Sequence, residues 1–258
     1  MLKAMISTAG LSALALLSCP CPAQDAAPPA SNLADRICRR YEETVSSVSC
    51  GIRRIGGPAA VVSRVYYKKP DRVNVENITP SKRRIVADGE RLYYYEDGSR
   101  RGYSRAIKDL TGDWLLSLRN IPGTPMRNIL DLRALPEETL EGEGDFPVRR
   151  QYKAPQARVV LSCDAAGRLL RLEFYRLNEP DTLMARYDYE DYSEAAPGCW
   201  IPLVHRTLVR MPDGKEFKET TKVESLTLNE PVSERLFAHG NFFQNIEFTD
   251  DFQKTYEQ

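Results

Sequence analysis

Residues able to make an activated nucleophile occur in this chain, but the motifs around them fall short. A Gly-x-Ser-x-Gly elbow needs small residues on both sides of a strained serine. The nearest approach, Gly102-Tyr103-Ser104-Arg105-Ala106, lacks the last glycine. Gly142-x-Gly144 lies in an acidic loop without the strand before it or the helix after it that a phosphate-binding turn requires. Only two histidines occur, His205 and His239. His205 shares one side of an alternating segment with Ile201, Leu203 and Val209, which turns it inward; an inward imidazole with no serine or cysteine partner reads as a hydrogen-bonded core residue. His239 stands beside Gly240 in a late loop. Carboxylates are plentiful, yet their spacing shows no selection for acid–base pairing. The chain reads as non-enzymatic, with no cofactor and no metal.

Cysteine chemistry depends on the compartment, which the amino end addresses. Lys3, the apolar run Leu11 to Leu17 and the small-residue exit Cys21-Pro22-Ala23 form a secretory signal over residues 1–23, followed by an Ala- and Pro-rich flexible leader over 24–31. The apolar run is far shorter than the roughly 20 residues of a membrane-spanning helix. Two maturation routes stay open. Cleavage after Ala23 releases a soluble periplasmic or otherwise extracytoplasmic protein, whereas Leu16-Leu17-Ser18-Cys19 resembles a lipobox in which acylated Cys19 becomes a membrane anchor. Cys38, Cys50, Cys163 and Cys199 remain, and in an oxidising compartment they allow two disulfides in three connectivities. Nearness along the chain favours Cys38–Cys50 and Cys163–Cys199. None lies in a Cys-x-x-Cys, and two histidines are too few for a zinc site of the Cys/His kind.

With 258 residues, 42% hydrophobic and 28% charged, the chain can bury one substantial core and is too apolar to be disordered. Lys+Arg 36 balance Asp+Glu 36, so no net field favours a nucleic acid as partner. Arg100-Arg101 and Lys82-Arg83-Arg84 read as solvated turns or strand edges.

The elements around these residues follow from periodicity. Leu33, Ile37, Tyr41 and Val45 recur every four positions, giving an amphipathic helix over 32–48 capped by Asn32 or Ser31, with a break over 51–58. Val61 to Lys69 and Arg72 to Ile78 are strands. Ile85-Val86-Ala87, Asp88-Gly89, Leu92 to Tyr95 and Asp97-Gly98 alternate strand with tight turn. Between Ser104 and Asn120 the period lengthens: Ile107, Leu110, Trp114, Leu115 and Leu118 predict a second amphipathic helix, and Met126 to Leu132 a short third. From Val159 to Leu228 the pattern is strand-like, with short polar turns that require antiparallel neighbours. The expected fold is α+β: a curved antiparallel sheet forming an incomplete, half β-barrel with an N-terminal helix and a helical lid insertion. Such a sheet either fills with its own side chains or cups an apolar ligand under the lid.

Tyr66-Tyr67-Lys68-Lys69-Pro70-Asp71-Arg72-Val73, followed by Ile85-Val86-Ala87-Asp88-Gly89-Glu90-Arg91-Leu92-Tyr93-Tyr94-Tyr95, resembles the periplasmic outer-membrane lipoprotein carrier family, often called LolA-like. The pattern is an aromatic strand ending in basic-basic-Pro, a further strand, then an Asp-Gly hairpin into aromatics, and it covers about Val61 to Leu118. The resemblance implies an incomplete barrel that shields acyl chains of lipids or lipoproteins, taken from an inner-membrane donor and passed to an outer-membrane acceptor. It places the domain over 32–240, with 241–258 as a C-terminal extension. Tyr67, Leu92, Tyr94, Trp114, Leu115 and Leu118 are then the cavity and lid residues. Carriers of this kind latch the lid with an arginine just before the proline. Here that position is Lys69, which keeps the charge but loses the planar fork. The rival expectation is an envelope scaffold or partner-binding module with a self-filled sheet, tethered through Cys19.

Overall fold

The structure, a computed structural model, describes residues 31–255; the expected signal, most of the leader and Cys19 lie outside the described residues. It begins with helix α1 (Leu33–Thr44), followed by strands β1 (Ser47–Ile55), β2 (Val61–Lys68), β3 (Arg72–Thr79), β4 (Arg83–Asp88), β5 (Arg91–Glu96) and β6 (Arg101–Ala106). A helical insertion with α2 (Gly112–Arg119) and α3 (Met126–Ile129) comes next. The second meander is β7 (Glu137–Leu140), β8 (Val148–Lys153), β9 (Ala157–Cys163), β10 (Leu169–Arg176), β11 (Leu183–Ala196), β12 (Cys199–Arg210) and β13 (Glu216–Leu228), and a short β14 (Glu247–Thr249) is the last strand among the described residues.

All fourteen strands form one sheet in the order β14-β6-β5-β4-β3-β2-β1-β13-β12-β11-β10-β9-β8-β7. Each meander pairs with itself, and the two join where β1 runs antiparallel to β13, with Ile52 opposite Val223 and Arg54 opposite Thr221. The sheet is curved and unclosed, an open half-barrel of α+β class. The insertion leaves β6 near one edge and enters β7 at the other, and its contacts with Tyr94 and Tyr189 lay it across the concave face as a cover.

α1 is shorter than its periodicity predicts, because the chain turns at Val45 and enters β1. The stretch expected to be helix end and break is in fact a nine-residue strand. Val45 and Val48 are both fully buried, so an apolar spacing that suits a helix also suits a turn followed by a strand whose β-branched residues pack on the pleat. The cap is Asn32: its Oδ1 accepts the Asp35 amide at 2.8 Å, while its Nδ2 donates to the carbonyls of Leu132 (2.8 Å) and Leu135 (2.7 Å) at the end of the insertion. The second helix also starts later than predicted. Arg101 to Ala106 pair with β5 as a strand, and the helix proper is α2.

The core lies between the concave face and the helices. Tyr152, Val159, Leu161, Leu172 and Ile201 are fully buried under α1, whose Tyr41 hydroxyl donates to the Trp200 carbonyl at 2.6 Å. Beyond residue 240 the described chain returns to the sheet. β14 adds to the edge in parallel with β6, and Phe248 lies against Gly102, where a Cβ would come within 2.4 Å of its ring. Before that, the tail covers the convex face: His239 stacks on Tyr93 at 4.1 Å, and Phe243 packs beside it.

The four cysteines are buried free thiols, which corrects the two expected disulfides. β9 and β12, which carry Cys163 and Cys199, are separated by β10 and β11, roughly 14 Å along the sheet at about 4.8 Å per strand. A bridge needs Cα atoms about 4.4–6.8 Å apart. Cys38 faces the core from α1, which packs on β12, while Cys50 sits in β1 opposite Val65. Burial pushes the Cys38, Cys50 and Cys163 thiols up to about 12, so they behave as small apolar core groups.

Candidate functional site

Strand register sorts the concave face of the first meander into three rows. The deepest is Val48, Tyr67, Val73, Ala87 and Leu92, all buried. One step along the strands lie Cys50, Val65, Val75, Ile85 and Tyr94. The third row is Ile52, Ser63, Asn77, Arg83 and Glu96, next to the exposed β5–β6 turn. The face therefore grades from hydrocarbon to polar along the strand direction, because alternate residues of each strand share one side.

The deepest row is packed, but the upper two are not filled. Between them and the insertion lies a cavity of about 1070 Å³. Val65, Val75, Ile85 and Tyr94 form its apolar wall, Trp114 and Pro122 its cover, and Tyr187, Tyr189 and His205 the side contributed by β11 and β12. This is at or above the roughly 300–1,000 Å³ of ordinary small-molecule pockets.

Aromatic contacts hold the cover. Trp114 stacks on Tyr103 with centroids 5.4 Å apart and meets Tyr94 edge-on at 5.8 Å. Phe252, reaching round the sheet edge from the C-terminal tail, touches Tyr94, Tyr103 and Trp114 at 5.4–5.6 Å. Such edge and offset geometries suit the ring quadrupoles. Asn128 of α3 donates to the Tyr189 hydroxyl at 3.0 Å, a second link between cover and sheet.

His205 does face inward. Burial lowers its pKa, opposed by hydrogen bonds to the backbone of Pro202, at 3.1 Å from Nε2, and of Gly123. A neutral imidazole tied to carbonyls and set edge-on to Tyr189 is a wall residue of the cavity.

Of the residues chosen from sequence, Tyr94 and Trp114 line the cavity. Tyr67 and Leu92 belong to the deepest row, Leu118 is buried on the underside of α2, and Leu115 packs half-buried against the core. Lys69 donates to the carbonyl of Glu42, in the last turn of α1, so it ties that helix to the β2–β3 turn rather than gripping α2. The grip on the insertion comes instead from Arg133, which pairs with Asp35 at 2.9 Å and Glu42 at 2.5 Å. Sequence reasoning missed Arg54, Arg83, Arg127, Ser63 and Asn77. Arg54 follows Ile52 at strand spacing in a segment read as a break, and Arg83 continues the alternation Ile85–Ala87, so a period-two reading of both stretches would have turned them inward. Arg84, its neighbour, points to the other face, where its guanidinium lies 4.2 Å over the Phe242 ring. Phe252 had no local signal, because only the path of the tail brings it to the cavity.

No protein-family model matches the chain, and no curated protein matches it in sequence. Solved structures do match in shape. A putative outer membrane lipoprotein-sorting protein domain from Vibrio parahaemolyticus is 11% identical, with a TM-score of 0.53 over 81% of this chain and 95% of that one. A DUF1329 family protein from Desulfovibrio piger is 14% identical, with a TM-score of 0.51 over 81% and 95%. A LolA superfamily protein from Nitrosomonas europaea is 16% identical over 80% and 97%, at a TM-score of 0.47. At these identities the likeness is one of architecture.

Proposed function

The chain has the LolA-like fold, and we propose that it is a non-enzymatic, extracytoplasmic carrier that shelters acyl chains of lipids or lipoproteins in its half-barrel. The observation that supports this most is the unfilled cavity of about 1070 Å³ between apolar rows and an aromatic-held cover. Burying hydrocarbon contributes about 0.8 kcal/mol per methylene, so one chain inserted under α2 supplies ample affinity. The description of the Vibrio neighbour, outer-membrane lipoprotein sorting, agrees with this reading. An inner-membrane donor and an outer-membrane acceptor are the partners it implies, and acylated Cys19 the alternative to a freely diffusing form. A sheet filled wholly by its own side chains fits less well, because that description suits only the half beneath α1.

Mature protein isolated from its native envelope without detergent exchange should carry lipid visible by native mass spectrometry, and delipidated protein should take up a fluorescent fatty-acyl probe. Protein that is ligand-free and refractory to the probe would remove the proposal. The intact mass of the mature amino terminus separates a chain starting at Gln24 from one acylated at Cys19.

A further inference from the structure

Hydrocarbon alone would leave part of this cavity unused. Three guanidinium groups meet at its polar end: Arg54 from β1, Arg83 from β4 and Arg127 from α3. With its amide oxygen turned toward Arg83, Asn77 accepts from Nη2 at 3.0 Å and donates to Ser63 at 2.7 Å, which holds Arg83 in place from the side. Arg127 is oriented by Ser117 at 2.9 Å, with Asp113 farther off at 3.4 Å. Arg54 is half-buried and makes no hydrogen bond or ion pair among the described residues. Burial draws its pKa below the ordinary guanidinium value; Glu219 opposes this, and Arg83 and Arg127 add to it.

Carboxylates also line this end. Glu96 accepts the Tyr94 hydroxyl at 2.9 Å, Glu219 accepts from Thr221 at 3.5 Å, and Asp97 sits in the exposed turn. Glu219 attracts Arg54 through space but makes no hydrogen bond to it among the described residues. A fork with its donors unmet, next to two more cations, is electrostatically unfavourable until an anion arrives. Planar guanidinium groups donate to phosphate or carboxylate oxygens in pairs, and partial removal from water strengthens such bonds.

We propose that Arg54, together with Arg83 and Arg127, binds the oxyanion headgroup of an amphiphile whose hydrocarbon lies along Val65, Val75, Ile85 and Tyr94. This rests on the acyl-chain reading above and adds the class of headgroup. The register supports it: Arg83 is one row above Val75 and Ile85, and Arg54 one residue pair beyond Ile52 on the same face, so an extended ligand places its chain inward and its acid at the mouth.

Delipidated mature protein is titrated calorimetrically with lysophosphatidic acid and with the monoacylglycerol of the same chain length. The phosphate lipid should bind at least about tenfold more tightly, the size expected of charge-assisted hydrogen bonds. Arg54→Gln combined with Arg83→Gln should bring the two lipids to within about twofold while leaving monoacylglycerol affinity in place. Arg54→Lys, which keeps charge without the fork, gives an intermediate ratio and serves if the double variant misfolds. Equal wild-type affinity for both lipids overturns the headgroup assignment and leaves the acyl-chain reading standing. Failure of both lipids to bind overturns that reading and this one with it. Inorganic phosphate binding as tightly as the phosphate lipid would make the site one for a free anion, which also overturns the proposal.

Discussion

The concave face is covered twice, by α1 over the second meander and by α2 over the first, and the two covers differ in what lies beneath. Under α1 the space is solid: Leu33, Ala34, Cys38 and Tyr41 press on Tyr152, Val159, Leu161 and Leu172. The polar atoms there are paired. Tyr152 donates to Glu137 at 2.9 Å and accepts the Ala34 amide at 3.2 Å, and Glu137 also takes the Leu33 amide at 2.7 Å. Under α2 only Leu118 of the eight helical residues is buried, and the remaining contact is a ring of aromatics around a hollow. One sheet can thus serve as core where a long helix with a satisfied cap seals it, and as container where a short helix spans it between edges.

If this contrast is right, truncation should be costly on one side and mild on the other. Leu172→Ala, under α1, should lower stability by about 2–5 kcal/mol in urea unfolding, because it opens a void in packed surroundings. Ile85→Ala, whose side chain already borders empty space, should cost about 1 kcal/mol. Equal losses would mean that the hollow collapses around its walls and is not a standing cavity.

The polar seal beside α1 comes next in size. Arg133→Ala removes bonds to Asp35 and Glu42 and should cost about 2 kcal/mol. Burial works against ionised Asp35, yet hydrogen bonds from Ser31, Arg133 and Arg39 outweigh it and hold its pKa below the usual carboxylate value. The ionised form is thus favoured by folding. Its contribution is complete above the unfolded value of about 3.9 and disappears as pH falls through the lower folded value. Thermal melts between pH 6 and pH 2 should show acid destabilisation that is smaller in Asp35→Asn; an identical acid profile for the variant would place the sensitivity elsewhere.

Trp114→Ala should change stability little, by about 1 kcal/mol, since its ring is only partly buried and its contacts are with other rings. Its expected effect is on binding, with a fluorescent acyl probe held at least about threefold more weakly. Unchanged uptake would make Trp114 ordinary packing and move the cover elsewhere.

Local pattern was enough to read most strands, because alternation and Asp-Gly turns act over a few residues: β3 to β5 and β9 to β13 stand where Val73-x-Val75, Asp88-Gly89, Asp164 to Gly167 and Pro212-Asp213-Gly214 put them. It failed at β1, where Val45 and Val48 satisfy two periods at once, and at residues 101–106, where β5 recruits a segment whose spacing also suits a helix. For the site, Tyr94 and Trp114 could be chosen because aromatic residues at strand and helix spacing announce an inward face. Arg54 and Arg83 could have been turned inward by strand alternation alone, but Arg127 could not, since a lone arginine on a short helix carries no mark of facing a cavity rather than water.

What the sequence determined by itself was the supply of elements: strands with one apolar side, two amphipathic covers, and turns that force antiparallel neighbours. The tertiary structure alone decided that β1 would meet β13, that the insertion would be strung from one edge to the other, and that Phe252 would return to Trp114. Those outcomes depend on contacts between residues far apart in the chain, whose free energy comes from shared burial and from no property of either segment taken alone.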